Sequence, residues 1–303
     1  MKFTRMIPSE YSGYKKFFKN QRYPLCGYAL SSIIAWSGDA YKPYGAVHGD
    51  ALIVKVEFAT ETQNRHMILP ISPEREFSPE ELRDLAEQNG INKYWFVPES
   101  YIQRFGPERV GKYFEVTDHD GYSDYVYRTE DLSELKGNRY AKKRNLIHQF
   151  EQTVVEKGRM GVGRITRLSV GECLEFLEKW CEERDCGSSA DDDLACEKQA
   201  LINTIENMAA MEVKGIFLRI DNQVCAMAMA AHLVEGMGAL QYQKAFARIK
   251  GLYQYFDREC ARRLFNGYRY INKESDMGIP GIARAKKSYH PVMRIKAFIL
   301  ELL

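Results

Sequence analysis

The sequence predicts an α/β (α+β) protein in which one unit, a mixed sheet flanked by helices, occurs twice. Length is the first observation: 303 residues suffice for about two domains of ordinary size. Composition is the second: 45% hydrophobic and 28% charged residues are the balance of a folded chain rather than a disordered one. The third is an order of elements that recurs. Residues 52–58, 67–71, 79–89, 93–97, 98–105 and 112–117 read strand, strand, helix, strand, helix, strand. Residues 224–231, 240–246, 251–265, 268–272, 279–286 and 292–300 read the same way. A strand–helix–strand step implies a parallel pair inside a mixed sheet. The expected division is 1–130 and 131–303, with the helical segment from about Leu132 to Met208 belonging largely to the second unit.

Each element has a local justification. Leu52–Phe58 and Met67–Ile71 are apolar runs separated by a polar turn at Thr60–Asn64. Ser78-Pro79-Glu80-Glu81 supplies an N-cap, a proline at the first helical position and a capping-box glutamate, and Gly90 ends that helix. Ser169 with Glu172 repeats the capping logic, and Val170, Cys173, Leu174, Leu177, Trp180 and Cys181 follow at the spacing of one buried helical face. Leu201, Ile202, Ile205, Met208 and Ala209 mark another helix, and residues 187–193 between the two read as an exposed acidic loop. Gly215–Ile220 and Val224–Ala231 meet through Asp221-Asn222, a hairpin signal, and Leu240–Phe246 is a third strand.

Charge and cysteine content exclude several classes. Lys+Arg is 43 against Asp+Glu 41, so no general coating of nucleic acid is expected and DNA is not an expected partner. The longest apolar stretch, Val224–Ala231, has eight residues, whereas a membrane helix needs roughly 20. The start MKFTRMIPSE has no apolar run of secretory length, so a cytoplasmic protein without integral membrane contact is expected. The seven cysteines include no C-x-x-C unit. Cys173, Cys181, Cys186 and Cys196 cluster at irregular gaps with no histidine between them, so core thiols are expected rather than a metal site.

The chemistry concentrates in residues 243–254. A strand ends near Phe246, a loop of Ala247, Arg248, Ile249 and Lys250 follows, and Gly251 opens a helix with Leu252 and Tyr253 in its first turn. Free N–H groups and the positive end of a helix dipole make such a junction a phosphate site, and glycine allows close approach. Arg248-x-x-Gly251-x-Tyr253 resembles the loop with which GNAT-fold acyltransferases hold the pyrophosphate of coenzyme A, with Tyr253 replacing a small residue. The resemblance implies coenzyme A or acyl-CoA as ligand of residues 246–253, and Asn272 at the following strand end joins this set. The corresponding turn of the first unit, Ser72–Pro79, has two prolines and two acids, so the second unit alone is expected to hold the donor.

A second cluster follows. Asp276-x-Gly278-x-x-Gly281, Lys286, Ser288-Tyr289 and Pro291 resemble the C-terminal signature of the family of the phosphatidylglycerol lysyltransferase C-terminal domain, with Fem-type aminoacyltransferases as more distant relatives. The segment 131–145 is similar to that family's central motif. This resemblance implies two fused GNAT-like acyltransferase domains. Resemblance to the Fem-type run implies that Lys286 stabilises an oxyanion, and resemblance to GNAT enzymes that Tyr289 protonates a leaving group; Asp276 is the candidate base for the incoming amine or else a turn residue beside Gly278. Residues 136–148 carry five Lys/Arg and no acid. That face is either solvated or touches phosphates, including the acceptor end of a tRNA. Tyr122, Tyr125 and Tyr127 line a pocket or pack a strand face. The expected function is transfer of an acyl or aminoacyl group to a small amine or hydroxyl acceptor, with acyl-CoA the favoured donor and aminoacyl-tRNA next. A non-catalytic pair that binds an acidic or phosphorylated ligand is the alternative.

Overall fold

A computed structural model describes residues 1–184 and 192–303, with side chains from 184 to 196 left aside. In chain order the first half holds β1 (Thr4–Arg5), α1 (Tyr11–Lys15), α2 (Leu30–Ala35), β2 (Tyr41–His48), β3 (Ala51–Phe58), β4 (His66–Met67), α3 (Pro79–Asn89), β5 (Lys93–Pro98), α4 (Glu99–Phe105), α5 (Pro107–Val110), β6 (Phe114–Asp118) and β7 (Asp124–Arg128). The second half holds α6 (Thr129–Glu134), α7 (Ala141–Phe150), β8 (Met160–Arg164), α8 (Val170–Arg184), α9 (Asp192–Asn207), β9 (Lys214–Ile220), β10 (Gln223–Val234), β11 (Met237–Ala245), α10 (Leu252–Leu264), β12 (Tyr270–Asn272), α11 (Pro280–Lys287), β13 (Met293–Ile295) and β14 (Ala297–Leu302).

The strands form two seven-stranded mixed sheets, ordered β1-β2-β3-β4-β5-β14-β6 and β8-β9-β10-β11-β12-β7-β13. The two orders correspond strand for strand. Each contains a parallel pair, β4 with β5 and β11 with β12, reached through a crossover helix, α3 or α10. This is the duplicated α/β unit that the recurring element order implies. The correspondence includes a reciprocal exchange: β7 lies between β12 and β13 of the second sheet, and β14 lies between β5 and β6 of the first. Sheet membership therefore crosses residue 130 in both directions, and one contiguous apolar core runs through both halves, from Met6 to Leu300.

Local signals were realised where the physics is local. Ser78 accepts from the Glu81 N–H while the Glu81 carboxylate accepts from the Ser78 N–H, and Gly90 closes α3 in the left-handed conformation. Asp221 and Asn222 both take positive φ, as a two-residue hairpin turn requires. Three expectations change. The box before α8 is built one turn earlier, between Thr166 and Ser169, and Glu172 instead pairs with Arg219 at 2.8 Å. Only His66 and Met67 of the expected strand 67–71 join the ladder, with Ile71 bridging to Leu52. The expected strand 292–300 is two strands in different sheets, because the chain leaves β7 after Ile295 and buries Ala297 and Leu300 in the first sheet. Residues 187–191 of the expected acidic loop, and Cys186, lie outside the described residues; Cys173 and Cys181 are buried on α8. No described helix is long and apolar enough to cross a membrane.

Candidate active site

The parallel register of β11 and β12 covers only Met237–Ala239 against Tyr270–Asn272. Beyond it β11 runs on to Ala245 while the other chain turns away through Lys273 and Glu274, the latter at φ 60°. Two parallel strands that diverge leave a gap, and a bulge adds to it. Met229 faces Tyr242 and Ala230 faces Leu240, so Gln241 has no partner in the ladder. The first half of the chain covers this region. The Gln241 amide donates to Ser31 Oγ (3.1 Å) and Ser32 Oγ (2.6 Å) on α2. Asn272 Nδ2 donates to the Pro24 carbonyl (2.9 Å) and to Asp124 Oδ2 (2.7 Å). Asp124, fully buried on the exchanged strand β7, also accepts from the Cys26 N–H at 2.6 Å and from its thiol at 3.3 Å.

Glu274 is half-buried in this region, and its carboxylate has no hydrogen-bond or ion-pair partner among the described residues. Burial pushes its pKa up to about 8; Lys286 and Lys244 oppose the shift, and Asp124 and Glu197 add to it. Lys286 Nζ donates to the Lys273 carbonyl and to the Glu274 carbonyl (3.1 Å), so two of its three protons hold the turn that presents Glu274. Its own pKa is lowered, by burial first and against the attraction of Glu274. Lys244 pairs with Glu197 at 2.7 Å and lies 4.3 Å over the Trp180 ring. Gln241 Oε1 and both amide atoms of Gln243 are buried without a hydrogen-bond partner among the described residues. These polar atoms converge without neutralising one another, which is unusual in a core and common where a ligand completes the set.

The remaining expected residues take different places. Asp276 is a turn anchor: Oδ2 accepts from the Tyr125 hydroxyl at 2.6 Å and Oδ1 from the Gly278 N–H at 2.9 Å. Tyr289 packs between Lys143, 4.0 Å above its ring, and Lys273 at 5.2 Å. Its hydroxyl faces Asp257; burial first, then Asp257 and Tyr253, hold the phenol protonated, with a pKa well above the ordinary value. Asp257 pairs with Lys273 at 2.5 Å. Tyr127 is buried with its hydroxyl on the Lys286 carbonyl, and Tyr122 is partly exposed.

In the loop, Phe246 and Leu252 are buried anchors, Ala247, Arg248 and Lys250 are exposed and Ile249 is half-buried. Tyr253 is 41% exposed at the first turn of α10. Arg248 lies 4.0 Å over Phe246 and pairs with Glu183 of α8. Gly251 is left-handed at φ 79°, but an added Cβ would stand 2.2 Å from the Leu146 carbonyl oxygen, so its bare side faces α7 rather than an approaching phosphate. In the first unit the corresponding turn already uses its Glu74 and Arg75 N–H groups on Ser72 Oγ.

The basic segment is largely engaged within the chain. Lys136 pairs with Glu134, Arg139 with Asp131, Arg144 bonds the carbonyls of Leu135 and Gly137, and Lys143 bonds Ser288 Oγ. Sequence reasoning missed Glu274, Lys244, Glu197 and Asp124. Glu274 lies two residues from Asp276, and partners separate the two: the Asp276 carboxylate is satisfied by Tyr125 and the Gly278 N–H, and that of Glu274 is not, among the described residues.

Residues 25–301 match the family "Phosphatidylglycerol lysyltransferase, C-terminal". No curated protein matches the sequence. Among solved structures, a conserved protein of unknown function from Bacteroides thetaiotaomicron VPI-5482 is 26% identical with a TM-score of 0.87, over 99% of each chain. A C-terminal domain (DUF2156) from Agrobacterium fabrum, attributed to a lysylphosphatidylglycerol synthetase, is 12% identical with a TM-score of 0.65, over 97% of this chain and 91% of its own. A tandem GNAT protein from the clavulanic acid biosynthesis pathway is 8% identical with a TM-score of 0.47, over 99% and 98%.

Proposed function

Since this chain belongs to the family of the phosphatidylglycerol lysyltransferase C-terminal domain, we propose that it is an acyltransferase that moves an acyl or aminoacyl group from a phosphate-containing donor to an amine or hydroxyl acceptor. Acyl-coenzyme A is the donor we favour, and aminoacyl-tRNA is second, because most cations of the α7 segment are already engaged. The observation that carries the reading is Glu274, an unpartnered carboxylate with a pKa near 8 where β11 and β12 diverge. A base is most effective when its pKa lies near the working pH.

The loop suits the donor's phosphates in three respects: exposed Arg248 and Lys250, the N-terminal turn of α10, and no acid between Phe246 and Tyr253. Glu183 would have to release Arg248. The donor, when bound, supplies an activated carbonyl carbon. Glu274 takes the proton from the acceptor nitrogen or oxygen as it attacks. Lys286 holds the carbonyls on either side of that carboxylate, and Gln241, unpaired in the ladder, has a main-chain N–H to offer the developing oxyanion. Tyr289, kept protonated close to Tyr253, is the proton source on the leaving-group side.

Two measurements test this. Calorimetric titration of coenzyme A into wild type and Arg248→Glu should show binding that the substitution weakens. In a screen of acyl donors against small amines, Glu274→Gln should lower turnover about 10²–10³-fold while coenzyme A binding stays unchanged. Coenzyme A binding with no turnover for any pair would favour the non-catalytic alternative, and no binding at all would remove the coenzyme version.

A further inference from the structure

At the opposite end of α10 from the donor loop lies an open cleft of about 610 Å³. We propose that it binds a small phosphate-bearing molecule. Its wall includes Arg128 at the end of β7, Arg262 in the last turn of α10, and Arg269 just before β12, so three elements bring guanidinium groups to one place. Arg128 and Arg269 have no carboxylate partner among the described residues; the Arg269 guanidinium lies 5.2 Å from the centre of the Tyr270 ring. Arg262 is held by the Ser133 carbonyl at 2.8 Å and by Glu259 at 3.3 Å. Like charges brought together without a counter-charge repel, and an arriving phosphate both removes that repulsion and fits the planar guanidinium fork.

Other observations agree. Thr129, which lines the cleft, has a buried Oγ1 without a hydrogen-bond partner among the described residues. Phe265 and Tyr268 supply an aromatic wall. Glu130 is the acid on the rim, and the three arginines outnumber it. The negative end of the α10 dipole would oppose an anion, but Arg262 and Arg263 stand in its last turn and offset it. The volume is that of a small-molecule site, and a bounded cleft suits a compact phosphate ester better than an extended nucleic-acid backbone. The 13 residues of α10 put this site about 20 Å from the donor loop.

The test uses pyrophosphate as probe, by calorimetry, in the full chain carrying Arg248→Glu, which weakens the donor loop's own hold on phosphate. Binding should be detected, and adding Arg128→Ala and Arg269→Ala should weaken it at least tenfold. Both arginines are exposed, and a thermal scan checks that the variant folds. Equal affinity with and without the two arginines would overturn the proposal, as would no binding to the protein that retains them. A short RNA duplex that binds through Arg128 and Arg269 when pyrophosphate does not would also overturn it, in favour of a nucleic-acid contact. None of these results depends on whether coenzyme A binds the donor loop.

Discussion

Desolvation raises the pKa of Glu274 to about 8, and this has a sign that can be measured. Below about pH 4.5 the carboxyl is protonated in both folded and unfolded chains, so it has no effect on their balance. Between there and about pH 8 the unfolded chain has lost a proton that the folded chain keeps, so stability falls as pH rises. The slope is at most about 1.4 kcal/mol per pH unit. Glu274→Gln should therefore melt higher than wild type by a margin that widens from pH 5 to pH 8; a constant margin in scanning fluorimetry would refute the assignment. His66 acts in the opposite direction. It is fully buried, stacked 4.2 Å from Trp95, with Nδ1 bonded to the Asn64 carbonyl, and burial lowers its pKa to about 3. Its folded pKa lies below the unfolded value of 6.5, so the unfolded chain binds a proton first and stability drops as pH falls from 6.5 toward 3. His119, lowered to about 4, adds to the same acid limb. The urea midpoint of His66→Phe should change less between pH 7 and pH 4 than that of wild type.

Elements differ in how far their causes reach along the chain. The box of α3 is complete within four residues, and Ser78→Ala should cost about 1 kcal/mol in urea unfolding. Gly251 reads in sequence as a phosphate-loop glycine, yet its bare side is filled by the Leu146 carbonyl. Gly251→Ala should destabilise the fold by about 2 kcal/mol or more, from the left-handed conformation together with that clash, even with no ligand present. The same contrast explains what was legible. Ser78-Pro79-Glu80-Glu81, the Asp221-Asn222 turn and the loop-to-helix junction at Gly251 are local statements, and the structure places each where its residues say. The split of 292–300 is decided by β5, β6 and β7, which lie more than 150 residues away, so no pattern within it marks the break at Lys296. Glu274 is in the same position. The charges that act on it, Asp124, Lys244 and Glu197, come from three other elements, whereas Asp276 is satisfied by Tyr125 and the Gly278 N–H, so what distinguishes the two acids is absent from their own segment.

For the molecule as a whole, the reciprocal exchange makes each sheet depend on the other half of the chain. Leu300, fully buried on β14, belongs to the last strand of the chain yet completes the first sheet. Leu300→Ala should lower stability by about 2–5 kcal/mol. If the exchange couples the halves, the loss will appear in a single transition, reported together by Trp95 on β5 and Trp180 on α8. Single-tryptophan variants that unfold at different urea concentrations would show that the sheets unfold separately.

The exchange also bears on synthesis. A ribosome delivers β5 and β6 long before β14, and until the last strand emerges those two have no neighbour between them. The nascent first sheet therefore waits with two exposed strand edges while residues 119–296 are made, the interval in which pairing with another chain is easiest. The arrival of residues 297–302 closes that window, and with β7 committed to the second sheet it joins both halves in one late step.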